Sequence, residues 1–534
     1  MAFKNHLISI TILHIVLLFP LLSNSDPRKF CDNTPHSNFC KATLSKNKHD
    51  NGTIHGHSRF CVNQSLYITK QFNSVLKQHL RPSHTRSLSK TSIYALQDCR
   101  SLASLTLDYL SSTFRAINTT DFLSTIDTNQ VQTMLSATIT NLDTCFDGLL
   151  EAQPESNITQ DLKNHIINNT MLYSVTLALF TKGWLSKPSH KRYTATEKLN
   201  FGNTRRLIQL GEMGIIINNM VVVNKNGSGN FTTINDAINI APNNTKVNMG
   251  YFGIYVMGGV YEEYVVIPSN KMYLIMVGDG INQTIITGNH SVNAGWTTYN
   301  SATFAVTAAG FVAVNMTFQN TAGASMHQAV ALRNGADLSA FYNCSFEGYQ
   351  DTLYTHSMRQ FYKQCDIFGT VDFIFGNAAV VFQDCNIYPR QPLKGQFNAI
   401  TAQGRTDPNQ NTGTSIHNCS ITATNELISS NYMVKTYFGR PWKQNSLTIF
   451  MQSYVDSSID PAGWHEWSGN FAIDTLYYAE YNNTGPGSDT SNRVTWPGYH
   501  VIDANDASNF TVSSFILGDF WLPSSGVPYS GGLI

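Results

Sequence analysis

The amino-acid sequence predicts an all-α four-helix bundle followed by an all-β right-handed parallel β-helix. Three observations carry that prediction. In the first 210 residues apolar side chains recur at helical spacing and glycine is scarce. Past residue 220, short β-branched and aromatic runs alternate with Gly, Asn and Asp, as strands do. In this second half a single four-residue pattern returns at about 20-residue intervals, the period of a solenoid coil.

Composition supports two globular units. Of 534 residues, 42% are hydrophobic and 13% are charged, which excludes a disordered chain. Lys+Arg and Asp+Glu balance at 35 each, so there is no basic excess of the kind nucleic-acid binders carry. The balance conceals a split. Residues 1–210 hold 22 basic and 13 acidic residues, and residues 211–534 hold 13 and 22. Opposite signs suggest complementary units, with a cationic bundle docked on an anionic second half.

Taken in order, Lys4 and the apolar stretch Leu7 to Leu22, followed by Ser23 and Ser25, read as a secretory signal peptide cut before Asp26. Nine cysteines and fifteen N-x-S/T sequons agree with export. No later apolar run approaches the ~20 residues of a membrane span. Four helices are expected near 65–80, 88–115, 128–150 and 160–183, carried by residues such as Ile93, Leu96, Leu102, Leu105 and Leu110, then Val131, Leu135, Ile139 and Leu142. Cys31 and Cys40 can close an N-terminal loop, and Cys99 and Cys145 can tie two helices; Cys61 has no evident partner in this half.

The repeat reads Asn315-Met316-Thr317-Phe318, then Asn343-Cys344-Ser345-Phe346, Gln364-Cys365-Asp366-Ile367, Asp384-Cys385-Asn386-Ile387 and Asn418-Cys419-Ser420-Ile421. Stacked strands lie about 4.8 Å apart, within the Cα range of a disulfide. A Cys344–Cys365 bond is therefore expected between neighbouring coils. Glycosylation at Asn343 and Asn418 requires those side chains to face solvent.

Asp351 and Asp372 are 21 residues apart, the same interval as Cys344 and Cys365. On coils in register the two carboxylates sit side by side, and their pKa values must separate. One then carries a proton while the other is an anion, as acid–base and nucleophilic catalysis need. Gln350 adjoins Asp351, and Gln328 lies 22 residues earlier; their amides can donate to a developing oxyanion. Tyr349, Tyr354, Phe373 and Phe375 crowd the region and offer surfaces for sugar C–H faces. Carboxyls ~5 Å apart also fit a retaining glycoside hydrolase, so spacing alone leaves the reaction open.

The motifs close it. GVYEE (Gly259 to Glu263), QAVAL (Gln328 to Leu332), QDTL (Gln350 to Leu353), DFIFG (Asp372 to Gly376) and GRPW (Gly439 to Trp442) occur in the order found in plant pectin methylesterases, which this chain resembles over nearly its whole length. TAQGRTDPNQNTG (Thr401 to Gly413) is similar as well. ALQDC (Ala95 to Cys99) and VQTMLSATITNLDTC (Val131 to Cys145) resemble the family's inhibitor-like pro-region. The resemblance implies a signal peptide over 1–25, an inhibitor-like helical pro-region over 26–206, a linker and processing region over 207–220, and a β-helix pectinesterase domain over 221–534. It implies disulfides Cys31–Cys40 and Cys99–Cys145.

Carried onto this sequence, the family's roles make Asp372 the nucleophile on a galacturonate methyl ester. Asp351 is the general acid, then the base. Gln328 and Gln350 stabilise the oxyanion. Arg440 keeps Asp372 ionised. Thr298 and Trp442 contact substrate, and Trp464 and Trp467 extend the cleft. His327 and His356 read as groove lining. No metal or cofactor is implied. The expected partner is methyl-esterified homogalacturonan, with a pectinesterase inhibitor, internal or separate, as a second one; no nucleic acid or membrane is expected, and the mature protein is expected to be a monomer in the cell wall. Arg205-Arg206 offers a dibasic processing point. The alternatives are a pectin-cleaving glycosidase or lyase, or a catalytically silent inhibitor or wall-binding protein. No calcium-binding acidic cluster of the lyase kind is evident. Phe438 stands where Leu is common in the family, and Asn226 where Asp is usual.

Overall fold

A computed structural model describes residues 28–32, 34–47, 52–152, 157–185 and 215–534. The expected signal peptide and the Arg205-Arg206 pair lie outside these residues. Among the described residues the first half has seven helices: α1 (Arg28–Cys31), α2 (Ser37–Leu44), α3 (Ile54–His79), α4 (Pro82–Thr85), α5 (Lys90–Ile117), α6 (Thr125–Ala152) and α7 (Asn157–Trp184). The long helices α3, α5, α6 and α7 form the four-helix bundle; each overlaps one of the predicted segments and extends beyond it. Their starts are chemically marked. Thr53 caps α3 by accepting from Gly56 N, and Ser89 caps α5 by accepting from Ser92 N. Leu96, Leu102, Leu135, Ile139 and Leu142 are buried between the helices, whereas α1 and α2 form a hairpin closed by Cys31–Cys40. Cys99–Cys145 joins α5 to α6. Cys61 is free and buried, and burial pushes its thiol up to about 12.

The second half is a parallel β-helix of three sheets with 11, 7 and 8 strands. Each of the seven complete coils contributes one strand to each sheet, and incomplete coils at the two ends supply the rest. Register is exact across the repeat: Phe346 pairs with Ile367, and Ile367 with Ile387. Inward side chains stack from coil to coil, as in Phe341–Tyr362–Phe382 at 4.9 and 4.7 Å between ring centroids. The first residue of every repeat (Asn315, Asn343, Gln364, Asp384, Asn418) has φ between 51° and 58°. That left-handed turn is tolerated best by Asn and Asp, which explains why the pattern starts with them. Asn343 and Asn418 are exposed, but their amides donate to Asn315 and Asp384.

One expectation is corrected here. Cys344 and Cys365 are not bonded; with Cys385 and Cys419 they form a column of free, buried thiols. Their side chains point the same way from strands in register, so their Cβ atoms keep about the 4.8 Å strand spacing. A disulfide needs Cβ atoms about 3.5–4.5 Å apart. Each Sγ instead donates to the carbonyl two residues back: Tyr342, Lys363, Gln383 and His417, at 3.4–3.5 Å.

Candidate active site

The seven-stranded sheet builds the site. Its strands run in the order Thr436–Gly439, Asn398–Gln403, Ile374–Gly376, Leu353–Thr355, Leu332–Asn334, Phe304–Val306 and Val265–Ile267. Leu353 pairs with both Leu332 and Ile374. Asp351 and Asp372 each lie two residues before these paired positions, so they occupy equivalent points on adjacent coils. Both have positive φ, 62° and 53°, at the sharp corner entering the strand. The corner is held by Asp351 N donating to Val371 O and by Leu353 N donating to Phe373 O.

Both carboxylates face a cavity of about 270 Å³, which Gln328, Gln350, Thr298, Arg440, Trp442 and Trp467 also line. Arg440 grips Asp372 through two hydrogen bonds, Nε to Oδ1 at 2.8 Å and a terminal nitrogen to Oδ2 at 2.7 Å. Such a bidentate pair orients a carboxylate. Among the described residues no such pair holds Asp351. Burial, then the charge of Asp372, then that of Glu151, push its carboxyl well above the usual range, against a lowering pull from Arg440. The two carboxyls thus sit in unlike surroundings, one gripped by a guanidinium and the other buried beside like charge. Gly404 lies flat beneath Trp442, where a Cβ would come within 2.9 Å of the indole. Phe375 meets Trp442 edge-on at 6.0 Å and stacks on Tyr354 at 4.2 Å.

Several predicted neighbours lie elsewhere. Trp464 is 1% exposed and stacks on Tyr478 at 4.1 Å in the core, whereas Trp467 lines the cavity and lies under Arg440 at 4.4 Å. Phe373 points into the core, and Tyr349 lies beneath Arg390. His356 does not line the cavity. It is buried, with its ring nitrogens against Thr144 and Ser357, and burial followed by Arg333 pushes it down to about 3. His327 is half-buried and has φ of 57° at a turn.

The largest feature that motif reading missed is the roof. Thr144, Asp147, Gly148 and Glu151 of α6 line the same cavity as the two aspartates. Glu151 accepts from the Thr298 hydroxyl at 2.9 Å and from its backbone N–H at 3.1 Å. Asp147 pairs with Lys443 at 2.7 Å. Around them Asp98 accepts from Thr297, Asp143 from Thr406, and Asn129 and Gln130 from Arg359. One apolar cluster runs through both halves, from Leu142 and Leu149 to Tyr299, Tyr354 and Phe375. Among the described residues no group of His, Cys, Asp or Glu is arranged to hold a metal ion, and no helix is long and apolar enough to cross a membrane.

Comparison with known proteins matches both halves. Residues 220–519 match the family described as Pectinesterase, and residues 25–179 match Plant invertase/pectin methylesterase inhibitor. A probable pectinesterase/pectinesterase inhibitor of Arabidopsis thaliana is 52% identical, over 96% of each chain. Pectinesterase 2 of Citrus sinensis is 44% identical, again over 96% of each. Among solved structures, a pectin methylesterase from carrot is 54% identical with a TM-score of 0.58; the match covers 59% of this chain and 98% of the carrot chain. The chain belongs to the pectinesterase family, joins an inhibitor-like helical domain to its β-helix, and is a carboxylic ester hydrolase that de-esterifies pectin.

Proposed function

We propose that the reaction runs through the two aspartates in named roles. The Asp372 carboxylate attacks the methyl-ester carbonyl carbon of a galacturonate unit in homogalacturonan. The amides of Gln328 and Gln350 donate to the oxygen that becomes negative. As the tetrahedral centre collapses, the C–O bond to the methoxy group breaks, and Asp351 gives its proton to departing methanol. The polymer is then joined to Asp372 as an anhydride. Water attacks that carbonyl, Asp351 takes the proton, and Asp372 leaves as a carboxylate held by Arg440. Thr298, Trp442 and Trp467 position the chain. One observation carries this assignment: Arg440 pairs with Asp372 while the Asp351 carboxyl is pushed up.

The pro-region reading belongs to the same proposal. Residues 1–25 direct export to the cell wall. While residues 26–206 remain attached, α6 occupies the cleft that pectin must enter. Cleavage at Arg205-Arg206 frees the enzyme, which acts as a monomer. The position of Thr144, Asp147 and Glu151 in the cavity supports this.

Methanol release from esterified pectin by the β-helix half tests the roles. Asp372→Asn is expected to lower kcat by about 10³-fold or more, because the nucleophile is lost. Asp351→Asn loses acid–base catalysis, about 10²–10⁴-fold. An Asp372→Asn enzyme as fast as wild type overturns the assignment.

A further inference from the structure

The cavity ends at Thr298, but the aromatic surface continues. Tyr264, His290 and Trp296 form one column. Tyr264 stacks on His290 at 3.5 Å and His290 on Trp296 at 3.6 Å between ring centroids, with interplanar angles of 8° and 17°. Tyr264 directly precedes the strand Val265–Ile267. Trp296 lies two residues before Thr298, in the turn leading to Phe304–Val306. That turn is tied to the cleft, because Val292 N donates to Gln328 O at 3.0 Å. In the cleft sheet these two strands are the third and second neighbours of the strand that follows Asp351. At about 4.8 Å per coil, the column stands about 10–14 Å from Asp351 and about one coil further from Asp372, along the axis a polymer follows.

The outer face of Trp296 is covered. Tyr94 of α5 stacks on it at 4.5 Å with an interplanar angle of 9°, and Lys90 stands 4.6 Å from the indole centroid. The bundle thus lays a flat ring over Trp296, as it lays Glu151 on Thr298 and α6 over the carboxylates. When the bundle leaves, Tyr94 and Lys90 leave with it. What remains is an indole face backed by two further rings.

We infer that Trp296, backed by His290 and Tyr264, is an outer sugar-stacking subsite of the cleft, that it takes a methyl-esterified galacturonate ring remote from the reacting unit, and that Tyr94 occupies it in the attached precursor. The inference rests on the cleft reading above. A pyranose ring presents apolar C–H faces, and a broad indole buries more of one than any other side chain. In the attached precursor burial, then Lys90, push His290 down to about 4, so there the column stacks as three uncharged rings. The indole face itself offers a free carboxylate neither a cation nor a hydrogen bond, and such a carboxylate keeps its water. An esterified ring, which is neutral, gains the full contact.

The test uses the β-helix half alone, because the carrot chain matched over 98% of its length corresponds to that half without a bundle. KM is measured on long esterified pectin and on an esterified oligomer too short to span from Asp372 to Trp296. The ratio of the two defines a length preference. Trp296→Ala is expected to reduce that preference about tenfold through KM rather than kcat, and Trp296→Phe to restore most of it. His290→Leu, which leaves the indole but removes its backing, is expected to reduce it about threefold. Unchanged length preference in all three variants overturns the subsite. Asp372→Asn in the same preparation separates the two readings. If it is inactive while the preference stays fixed, only the subsite falls; if it is active, the cleft reading falls first.

Discussion

The two halves meet with charges that their totals do not foretell. Residues 1–210 hold 22 basic and 13 acidic side chains. Yet the groups this half lays on the cleft are mostly acids: Asp98, Asp143, Asp147 and Glu151. The β-helix half holds 13 basic and 22 acidic side chains, and it brings Arg333, Arg359, Arg440 and Lys443 to the same interface beside Asp337, Asp351, Asp372 and Asp407. A cation is needed beside Asp372, and the charges that meet across the cleft are matched locally, as Asp147 is by Lys443. Charges further away than about 8–10 Å are largely screened at physiological salt. Net charge therefore says little about which faces meet.

Cysteine separates the halves in the same way. The bundle is cross-linked twice, whereas the β-helix keeps four free thiols in its core. Cys99–Cys145 closes a loop with a sequence separation of 46, and a bond of that span stabilises by about 4 kcal/mol in the chain-entropy account. Thermal unfolding of the separated halves with and without a thiol reductant tests this. A reductant opens Cys31–Cys40 as well, so the bundle is expected to lose more than that amount, and the β-helix half to be unaffected. A reductant-sensitive β-helix would break the comparison and restore the Cys344–Cys365 bond.

Much of this was legible in the sequence. The interval shared by Cys344–Cys365 and Asp351–Asp372 placed both carboxylates on adjacent coils, because a β-helix repeats its geometry at every coil. Helix spacing located all four long helices for a similar reason: both signals are periodic. The same spacing argument misjudged the thiols, since it located Cα atoms and said nothing of Cβ directions. The resemblance placed Trp464 on the cleft and the structure buries it, because a tryptophan outside the repeat carries no register. The roof over the site was illegible, because Thr144, Asp147 and Glu151 are polar positions on a helix, indistinguishable in sequence from a solvated face.

Proton binding sharpens the comparison further. Burial pushes Asp98 and Asp143 up to about 7 in the joined structure, against lowering contributions from enzyme-half groups, Thr297 and Arg333 for Asp98, Lys443 and Thr406 for Asp143. A solvated Asp titrates near 3.9. The docked state therefore binds more protons than the separated halves between about pH 4 and 7. Docking is at full strength below that window, weakens as pH rises through it, and is flat above it. Each carboxyl contributes up to about tenfold per pH unit. With the linker cut, the dissociation constant between bundle and β-helix half is expected to rise at least about tenfold from pH 5 to pH 6. A constant value across that range would mean that the acids on the roof do not titrate with docking.

The smallest effect discriminates most directly between local and overall charge. Lys443 and Asp147 pair at 2.7 Å with side chains 23% and 30% exposed, so solvent screens the contact and the pair is worth about 1 kcal/mol or less. Lys443→Glu makes the β-helix half more anionic. If docking followed overall charge, this variant would bind the cationic bundle more tightly. If it follows the contacts at the cleft, the new carboxylate meets Asp147, and binding weakens about fivefold or less. Asp147→Lys on the bundle should then recover the loss in the double variant, and the recovery should shrink with added salt. Tighter binding by Lys443→Glu alone would return the interface to the overall-charge account.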